Sequence, residues 1–261
     1  MLNDPLISIE INDESEFALF ELHGGILAPN SAALSEARVS DFLLGATRVK
    51  KQYETLVQMK DAGASSAWLL VSAYYCAFFA CIEISKLFNR MSFGLDSDDI
   101  ESLKSKASGS QYVSFFEKNH SNFVGFERAG KLVFRAIGSK PHVAAWDNGL
   151  YSLKQIFSSK GWPEVNQCIA ILESADHSPS KIRNVWNYKR SDYYGASGEQ
   201  LALEFKKLVG NLDGSGKWLA RNVSQIGALD PCIIPALCEP LAAAVINASH
   251  RAGNLLKQAA V

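Results

Sequence analysis

The sequence predicts a mainly α-helical protein with a small β element near its N-terminus. Along most of the 261 residues, apolar side chains recur at steps of three and four, which is the period of an amphipathic helix. Ser, Pro and Gly stand where such segments begin and end. Alternation of apolar and polar residues, which is the pattern of a strand, is found in residues 1–30.

A β-hairpin is predicted within residues 1–30. Ile7, Ile9 and Ile11 share one face of a strand. The turn-forming run 12–15 follows them, and a second apolar run begins at Phe17. We therefore treat residues 1–30 as an N-terminal β-hairpin extension.

Two long helices are predicted next. The first begins near Ser31, and its apolar residues repeat at helical spacing as far as Gly63. Ser65-Ser66 caps the second helix, which runs to about Arg90, and its sixteen-residue run over 67–82 is apolar on almost every side. A membrane span requires roughly 20 residues. We therefore expect a core helix at the centre of a bundle and no membrane partner.

Shorter helices are predicted along the rest of the chain. From 91 to about 142 the pattern weakens and glycines interrupt it, so we expect an inserted region of short helices. Helical signals return over residues 148–159, 163–175, 178–194 and 199–211. Residues 224–261 are rich in Ala and contain Pro235 and Pro240, which predicts a C-terminal tail with a kinked helix or helix pair. The predicted bundle spans 31–223 and includes the insertion.

The composition is that of an ordinary folded protein. Lys and Arg number 26 against 27 Asp and Glu, the net charge is -1, and 48% of the residues are hydrophobic. These values exclude a disordered chain, a collagen and a globally basic nucleic-acid coat. Five cysteines among apolar neighbours predict reduced thiols, and residues 1–14 lack the regions of a signal peptide. We therefore expect a cytoplasmic protein.

No motif for a cofactor or a metal is found. The run GSGK at 214–217 resembles the end of a P-loop, but Asn211 stands in the place of the first glycine and Trp218 in that of Ser or Thr. We interpret this run as a helix-breaking loop. The cysteines are not spaced as close zinc-binding pairs with a histidine nearby. The sequence thus predicts neither a cofactor nor a metal ion.

The clearest local basic patch lies in the sequence KIRNVWNYKR at 181–190, which has four positive charges and no acidic residue. On a helix, Arg183, Asn187 and Arg190 would share one stripe, with Asn184 and Tyr188 on a second. Guanidinium groups bind phosphates through paired hydrogen bonds, so the patch is a candidate for nucleic-acid binding. The residues assigned to binding are Lys181, Asn187, Lys189 and Arg190. The alternative is a solvated or ion-paired helix face.

Two segments of the chain carry a family resemblance. The run SAYYCAFF at 72–79 is followed by ISKLF at 84–88, and RN at 183–184 is followed by Tyr188 and by RSDYY at 190–194. These segments resemble the second helix and the C-terminal signature helix of HEPN domains, over about residues 31–212. The resemblance implies a bundle of four or five helices that commonly dimerises. Many HEPN domains are metal-independent endoribonucleases in toxin–antitoxin, CRISPR and phage-defence systems.

The resemblance also implies catalytic residues. The family motif is Arg, a polar residue, three further residues and then His; Arg183 and Asn184 match it, and Tyr188 occupies the histidine position. Arg183 would stabilise charge on the phosphorane, Asn184 would orient the substrate, and Tyr188 would replace the acid–base group. Imidazole titrates near neutral pH, whereas a tyrosine of pKa about 10 is ionised only to about one part in a thousand. A variant branch of the family ends in ADY, to which Ser191-Asp192-Tyr193 is similar.

Three functions therefore remain open from the sequence. The first is a HEPN protein that acts on RNA in a toxin–antitoxin or anti-phage setting, as a metal-independent endoribonuclease. The second is a catalytically silent HEPN module that binds a partner protein or nucleotide. The implied partners are a second copy of the chain through the helix around Arg183, RNA, and an antitoxin, nucleotidyltransferase or other defence subunit. The third is a helical interaction protein without HEPN chemistry.

Overall fold

The chain folds into two compact units in a computed structural model. The structure describes residues 7–13, 16–21, 31–106, 115–117, 122–128, 131–137, 141–174, 178–222 and 230–259. The sheet unit comprises Met1–Val39 and Lys86–Ala145, and the helical unit comprises Ser40–Ser85 and Trp146–Val261.

The sheet unit contains an antiparallel sheet of five strands. Its strands are β1 (Ile7–Asp13), β2 (Glu16–Glu21), β3 (Met91–Gly94), β4 (Asn122–Arg128) and β5 (Lys131–Ala136). They lie in the order β1-β2-β5-β4-β3. The predicted N-terminal hairpin is confirmed, since β1 pairs antiparallel with β2.

The prediction of short helices over residues 91–142 is wrong in its main part. Within that range the structure has β3, β4 and β5 and only one complete helix among the described residues, α3 (Ser97–Lys106). Strand β5 pairs with β2, more than a hundred residues earlier in the chain, and such pairing leaves no local pattern. Gly125 lies within β4, where a Cβ atom would come within 2.4 Å of the Phe93 ring. A glycine interpreted as a break is thus a place of close packing.

Aromatic rings fill the core of the sheet unit. Phe17 is fully buried at its centre. The rings that contact it have centroids 4.8–5.8 Å away and belong to Phe115, Phe116, Phe123 and Phe134. The neighbouring Glu16 is also buried, and its carboxylate is paired with Arg128 and with Arg135.

Most of the helices lie wholly or mainly in the helical unit. In chain order the helices outside the insertion are α1 (Ser31–Asp61), α2 (Ser66–Leu87), α4 (Pro141–Lys160), α5 (Pro163–Glu173), α6 (Pro179–Asn184), α7 (Ala196–Leu201), α8 (Leu203–Leu208), α9 (Leu212–Asn222) and α10 (Ile233–Ala259). Proline occupies the first turn of α5 and α6, where its missing N–H costs no hydrogen bond. The mainly helical fold class is confirmed.

Helices α2 and α10 supply much of the core of the helical unit. Leu69, Leu70 and Tyr74 of α2 are fully buried, as are Ile233 and Leu237 of α10. Both helices are long and apolar enough to qualify by composition as membrane spans, but 67% and 56% of their most apolar windows are packed inside the protein. That degree of burial is typical of core helices in a soluble protein. Within the predicted C-terminal tail, the described residues contain one long helix, Ile233–Ala259, with Pro240 in its interior.

The interpretation of residues 214–217 as a helix-breaking loop is wrong. These residues lie inside α9, and the side-chain oxygen of Asn211 accepts a hydrogen bond of 2.9 Å from the backbone N–H of Gly214. Asn211 therefore caps the helix. The residue that departs from the P-loop motif has a structural role of its own.

Candidate nucleic-acid interface

The predicted helix over 178–194 changes its winding in the middle. Helix α6 ends at Asn184, a π-helical turn covers Val185–Lys189, and a 3-10 turn covers Ser191–Tyr194. A π turn adds a residue to the helical repeat, so side chains after Asn184 do not lie where a regular α-helix would place them. The predicted polar stripes are therefore broken at this point.

Asn187 shows the consequence. Sequence periodicity placed it on a polar face with Arg183 and Arg190, but the structure buries it to 9% exposure. Arg190 is half-buried, and its guanidinium carbon lies 4.4 Å from the centroid of the Trp186 ring. Neither side chain lies on one open stripe with Arg183.

Arg183 lies among three tyrosines. Its guanidinium carbon is 4.8 Å from the ring centroid of Tyr74, 5.7 Å from that of Tyr75 and 6.0 Å from that of Tyr188. Within the part of the chain that the structure describes, no carboxylate pairs with Arg183, and its buried Nε atom has no hydrogen-bond partner. The charge is thus stabilised by aromatic faces and leaves N–H groups for an additional acceptor.

Tyr74 is fixed beneath Arg183 by hydrogen bonds. Its hydroxyl lies 2.8 Å from the Ser180 hydroxyl, and the Trp146 indole N–H donates to it at 3.4 Å. Tyr74 is fully buried. The two segments that carry the family resemblance, one on α2 and one around α6, therefore meet at this tyrosine.

The other predicted site residues are exposed. Tyr188 is 75% exposed. Lys181, Asn184 and Lys189 are exposed as well. The structure thus brings Arg183 and Tyr188 together, with the remaining polar groups at the protein surface around them.

The segment after Arg190 is anchored to the beginning of α2. Tyr193 is fully buried, its ring lies 4.7 Å from that of Trp186, and its hydroxyl donates to the backbone oxygen of Ser66 at 3.3 Å. Glu199 accepts a hydrogen bond of 2.9 Å from the Ser66 N–H. The pKa of Glu199 is lowered below its usual value. The main cause is the interaction with Lys206, and the second is the hydrogen bond from the Ser66 N–H. Tyr193, in the segment similar to the ADY ending, therefore has a packing role.

A groove between α1 and α2 lies beside this site and was missed in the sequence. It has a volume of about 460 Å³. The side chains that line it include Lys51, Gln52, Trp68, Ser72, Tyr75 and Phe79. The lining residues from α2 recur at steps of three and four and so share one face of the helix. This face could not be recognised in the sequence because the whole run is apolar.

One wall of the groove is supported by an ion pair between a buried carboxylate and a partly exposed arginine. Glu83 of α2 is 0% exposed and is paired at 3.1 Å with Arg48 of α1. The guanidinium carbon of Arg48 lies 3.9 Å from the ring centroid of Phe79. A Cβ atom on Gly45 would lie 2.1 Å from the carboxylate of Glu83, so the pair requires a glycine there.

Metal-binding clusters of three or more His, Cys, Asp or Glu are not found among the described residues. Comparisons of the chain with protein-family models, with curated proteins and with solved structures found no match. The candidate site therefore rests on its own geometry.

Proposed function

We propose that this chain is a HEPN-type protein that binds RNA through Arg183. The observation that carries the proposal is the stacking of Arg183 on Tyr74 and Tyr75 with no carboxylate paired to it among the described residues. The proposed setting is a cytoplasmic toxin–antitoxin or anti-phage system.

The environment of Arg183 suits a phosphate. A guanidinium stacked on aromatic faces still presents its N–H groups in its own plane. Phosphate oxygens accept hydrogen bonds from these groups in pairs. The buried Nε–H has no acceptor within the described residues, and an unmade hydrogen bond of this kind costs about 1–3 kcal/mol. The terminal Nη groups are not among the buried unpartnered atoms, and they are the groups that an anionic ligand would contact.

Cleavage of the bound RNA is the catalytic form of the proposal. In such a reaction the 2'-hydroxyl attacks the adjacent phosphate, and a cation stabilises the charge that develops on phosphorus-bound oxygens. Arg183 would supply the cation, Asn184 would orient the substrate and Tyr188 would exchange the proton. The ring centroid of Tyr188 lies 6.0 Å from the guanidinium carbon of Arg183, and Tyr188 is open to solvent.

A catalytically silent module is the second candidate. Its support is Tyr188 in the histidine position, because a phenol holds its proton at neutral pH. In this form the protein would bind a nucleotide or a partner protein, such as an antitoxin, a nucleotidyltransferase or another defence subunit.

The first experiment measures binding and cleavage of labelled single-stranded RNA in EDTA. We expect Arg183→Ala to weaken RNA binding and to abolish any cleavage that the wild type shows. Arg221→Ala is the matched control, because Arg221 is an exposed arginine on α9. Equal RNA affinity and cleavage in the wild type and Arg183→Ala would refute the assignment of Arg183. Binding by the wild type without cleavage would select the silent form.

A homodimer through the surface around Arg183 is the proposed assembly. In HEPN domains the two signature helices face each other, so a composite cleft exists only in the dimer. The exposed Tyr188 ring lies on the surface that would be covered. Light scattering of the purified protein would give twice the monomer mass, and a monomer at all concentrations would contradict this assembly.

A further inference from the structure

The groove between α1 and α2 has the features of a site for a flat aromatic ligand. Trp68 is 62% exposed on its wall. The rings of Tyr75 and Phe79, one helical turn apart, have centroids 6.3 Å apart and planes 29° apart. Tyr75 and Phe79 are partly buried, so the exposed aromatic face is that of Trp68, and nucleobases stack on faces of this kind.

The polar groups of the groove complement a nucleotide. The amide oxygen of Gln52 is buried and has no hydrogen-bond partner in the part of the chain that the structure describes. The proposal requires the Gln52 amide to rotate so that this oxygen accepts a hydrogen bond from an exocyclic amine of the base. Lys51 is exposed and carries no ion pair with a described residue, whereas its neighbour Lys50 pairs with Glu54 at 3.9 Å. Lys51 is thus a positive charge available for a phosphate.

Tyr75 connects this groove to Arg183. Its ring belongs to the groove wall, and the guanidinium carbon of Arg183 lies 5.7 Å from its centroid. Tyr75 is therefore the side chain that borders both the groove and the cation that the proposed function assigns to RNA.

We propose that the groove binds an unpaired nucleobase of single-stranded RNA by stacking on Trp68. This inference rests on the proposed function, because it takes the ligand to be the RNA held by Arg183. Bases in a duplex present no free face, so the site accepts single-stranded RNA and not double-stranded RNA. Lys51 contacts the backbone of the same strand.

The test compares variants in two binding assays. The first is fluorescence anisotropy with labelled single-stranded and double-stranded RNA, and the second is isothermal titration calorimetry with AMP, whose signal does not depend on Trp68. Trp68→Ala should weaken binding of single-stranded RNA by about 5- to 150-fold, which is the loss found for one stacked base. Trp162→Ala is the control, since Trp162 is another exposed tryptophan, 53% accessible, outside the groove. Lys51→Ala should weaken binding of both ligands, and Lys50→Ala should not.

The outcomes separate the groove from the proposed function. RNA binding that depends on Arg183 but not on Trp68, with no AMP binding, overturns the groove proposal and leaves the proposed function standing. AMP binding that is lost in Trp68→Ala, in a protein that binds no RNA, supports a nucleotide groove and overturns the RNA function. Binding of neither ligand by a folded wild type overturns both.

Discussion

Replacing Tyr188 by His should increase cleavage of RNA by this protein. At pH 7 only about one part in a thousand of a phenol of pKa about 10 is ionised and able to act as a base. An imidazole of pKa about 6.5 is mostly neutral at this pH and able to accept a proton. Position 188 is 75% exposed, so the new imidazole would remain hydrated. Its position near Arg183 follows from the 6.0 Å between the Tyr188 ring centroid and the guanidinium carbon.

The expected gain follows from these quantities. A positioned general base contributes about 10²- to 10⁴-fold to a rate. Phenolate is a stronger base than imidazole, and its greater basicity offsets part of its low population at pH 7. We therefore expect Tyr188→His to raise the single-turnover cleavage rate about 10²-fold or more in EDTA, with a decline below a pH of about 6.5 as imidazole becomes protonated.

Two controls isolate the base. Tyr188→Phe removes the hydroxyl and keeps the ring, and the Arg183→Ala/Tyr188→His double variant removes the cation. Cleavage by Tyr188→His that persists without Arg183 would come from another site or a contaminant. If Tyr188→His bound RNA as tightly as the wild type and still cut none, residues 183 and 188 would not act as a catalytic pair.

Three further predictions concern the framework of the site. Gly45→Ala should lower the free energy of unfolding by about 2 kcal/mol or more in urea titrations, because the added methyl displaces the buried Glu83 carboxylate; an unchanged midpoint would contradict the packing described. Tyr53→Phe should cost about 1.5–3 kcal/mol, because the Tyr53 hydroxyl donates at 2.6 Å to Glu239, which is buried. The lowered pKa of Glu199 means that the folded state binds its proton less tightly than the unfolded chain, so its stabilising effect is present above the usual pKa of 4.5 and is lost as the pH falls. Glu199→Gln should therefore show a shallower loss of stability between about pH 5 and 3 than the wild type, and parallel profiles would be inconsistent with this linkage.

Local patterns in the sequence were sufficient for most of the helices. Pro163 and Pro179 mark the beginnings of α5 and α6 because proline fits the first turn of a helix. The apolar run at 67–82 predicted α2 as a core helix, and its buried residues agree. Each of these features depends on neighbours within a few positions.

Features that depend on distant residues could not be predicted in this way. The pairing of β2 with β5 joins residues such as Phe17 and Phe134, which no periodicity connects. The π turn over Val185–Lys189 changes which side chains are buried, and a regular helix was the natural expectation. The groove on α2 was hidden because Trp68 and Phe79 look in the sequence like further core residues. The groove is formed by residues of both α1 and α2, so it becomes visible only when the two helices are placed side by side.

The molecule itself offers a comparison for Arg183. Arg48 also stacks on an aromatic ring, at 3.9 Å from the centroid of Phe79, but it is paired with Glu83. Arg183 stacks on Tyr74 without such a carboxylate among the described residues.

The two arginines should therefore respond differently to replacement by Ala. Arg48→Ala removes the cation that pairs with the buried Glu83 carboxylate and should cost about 3 kcal/mol of unfolding free energy. Arg183→Ala loses its stacking, worth about 1–2 kcal/mol, but also removes a buried N–H that has no acceptor, so the net cost should be below about 1 kcal/mol. Urea unfolding of both variants measures the difference. A loss at Arg183 as large as that at Arg48 would identify Arg183 as a packing residue, whereas a small loss together with lost RNA binding is expected of an arginine kept for its ligand.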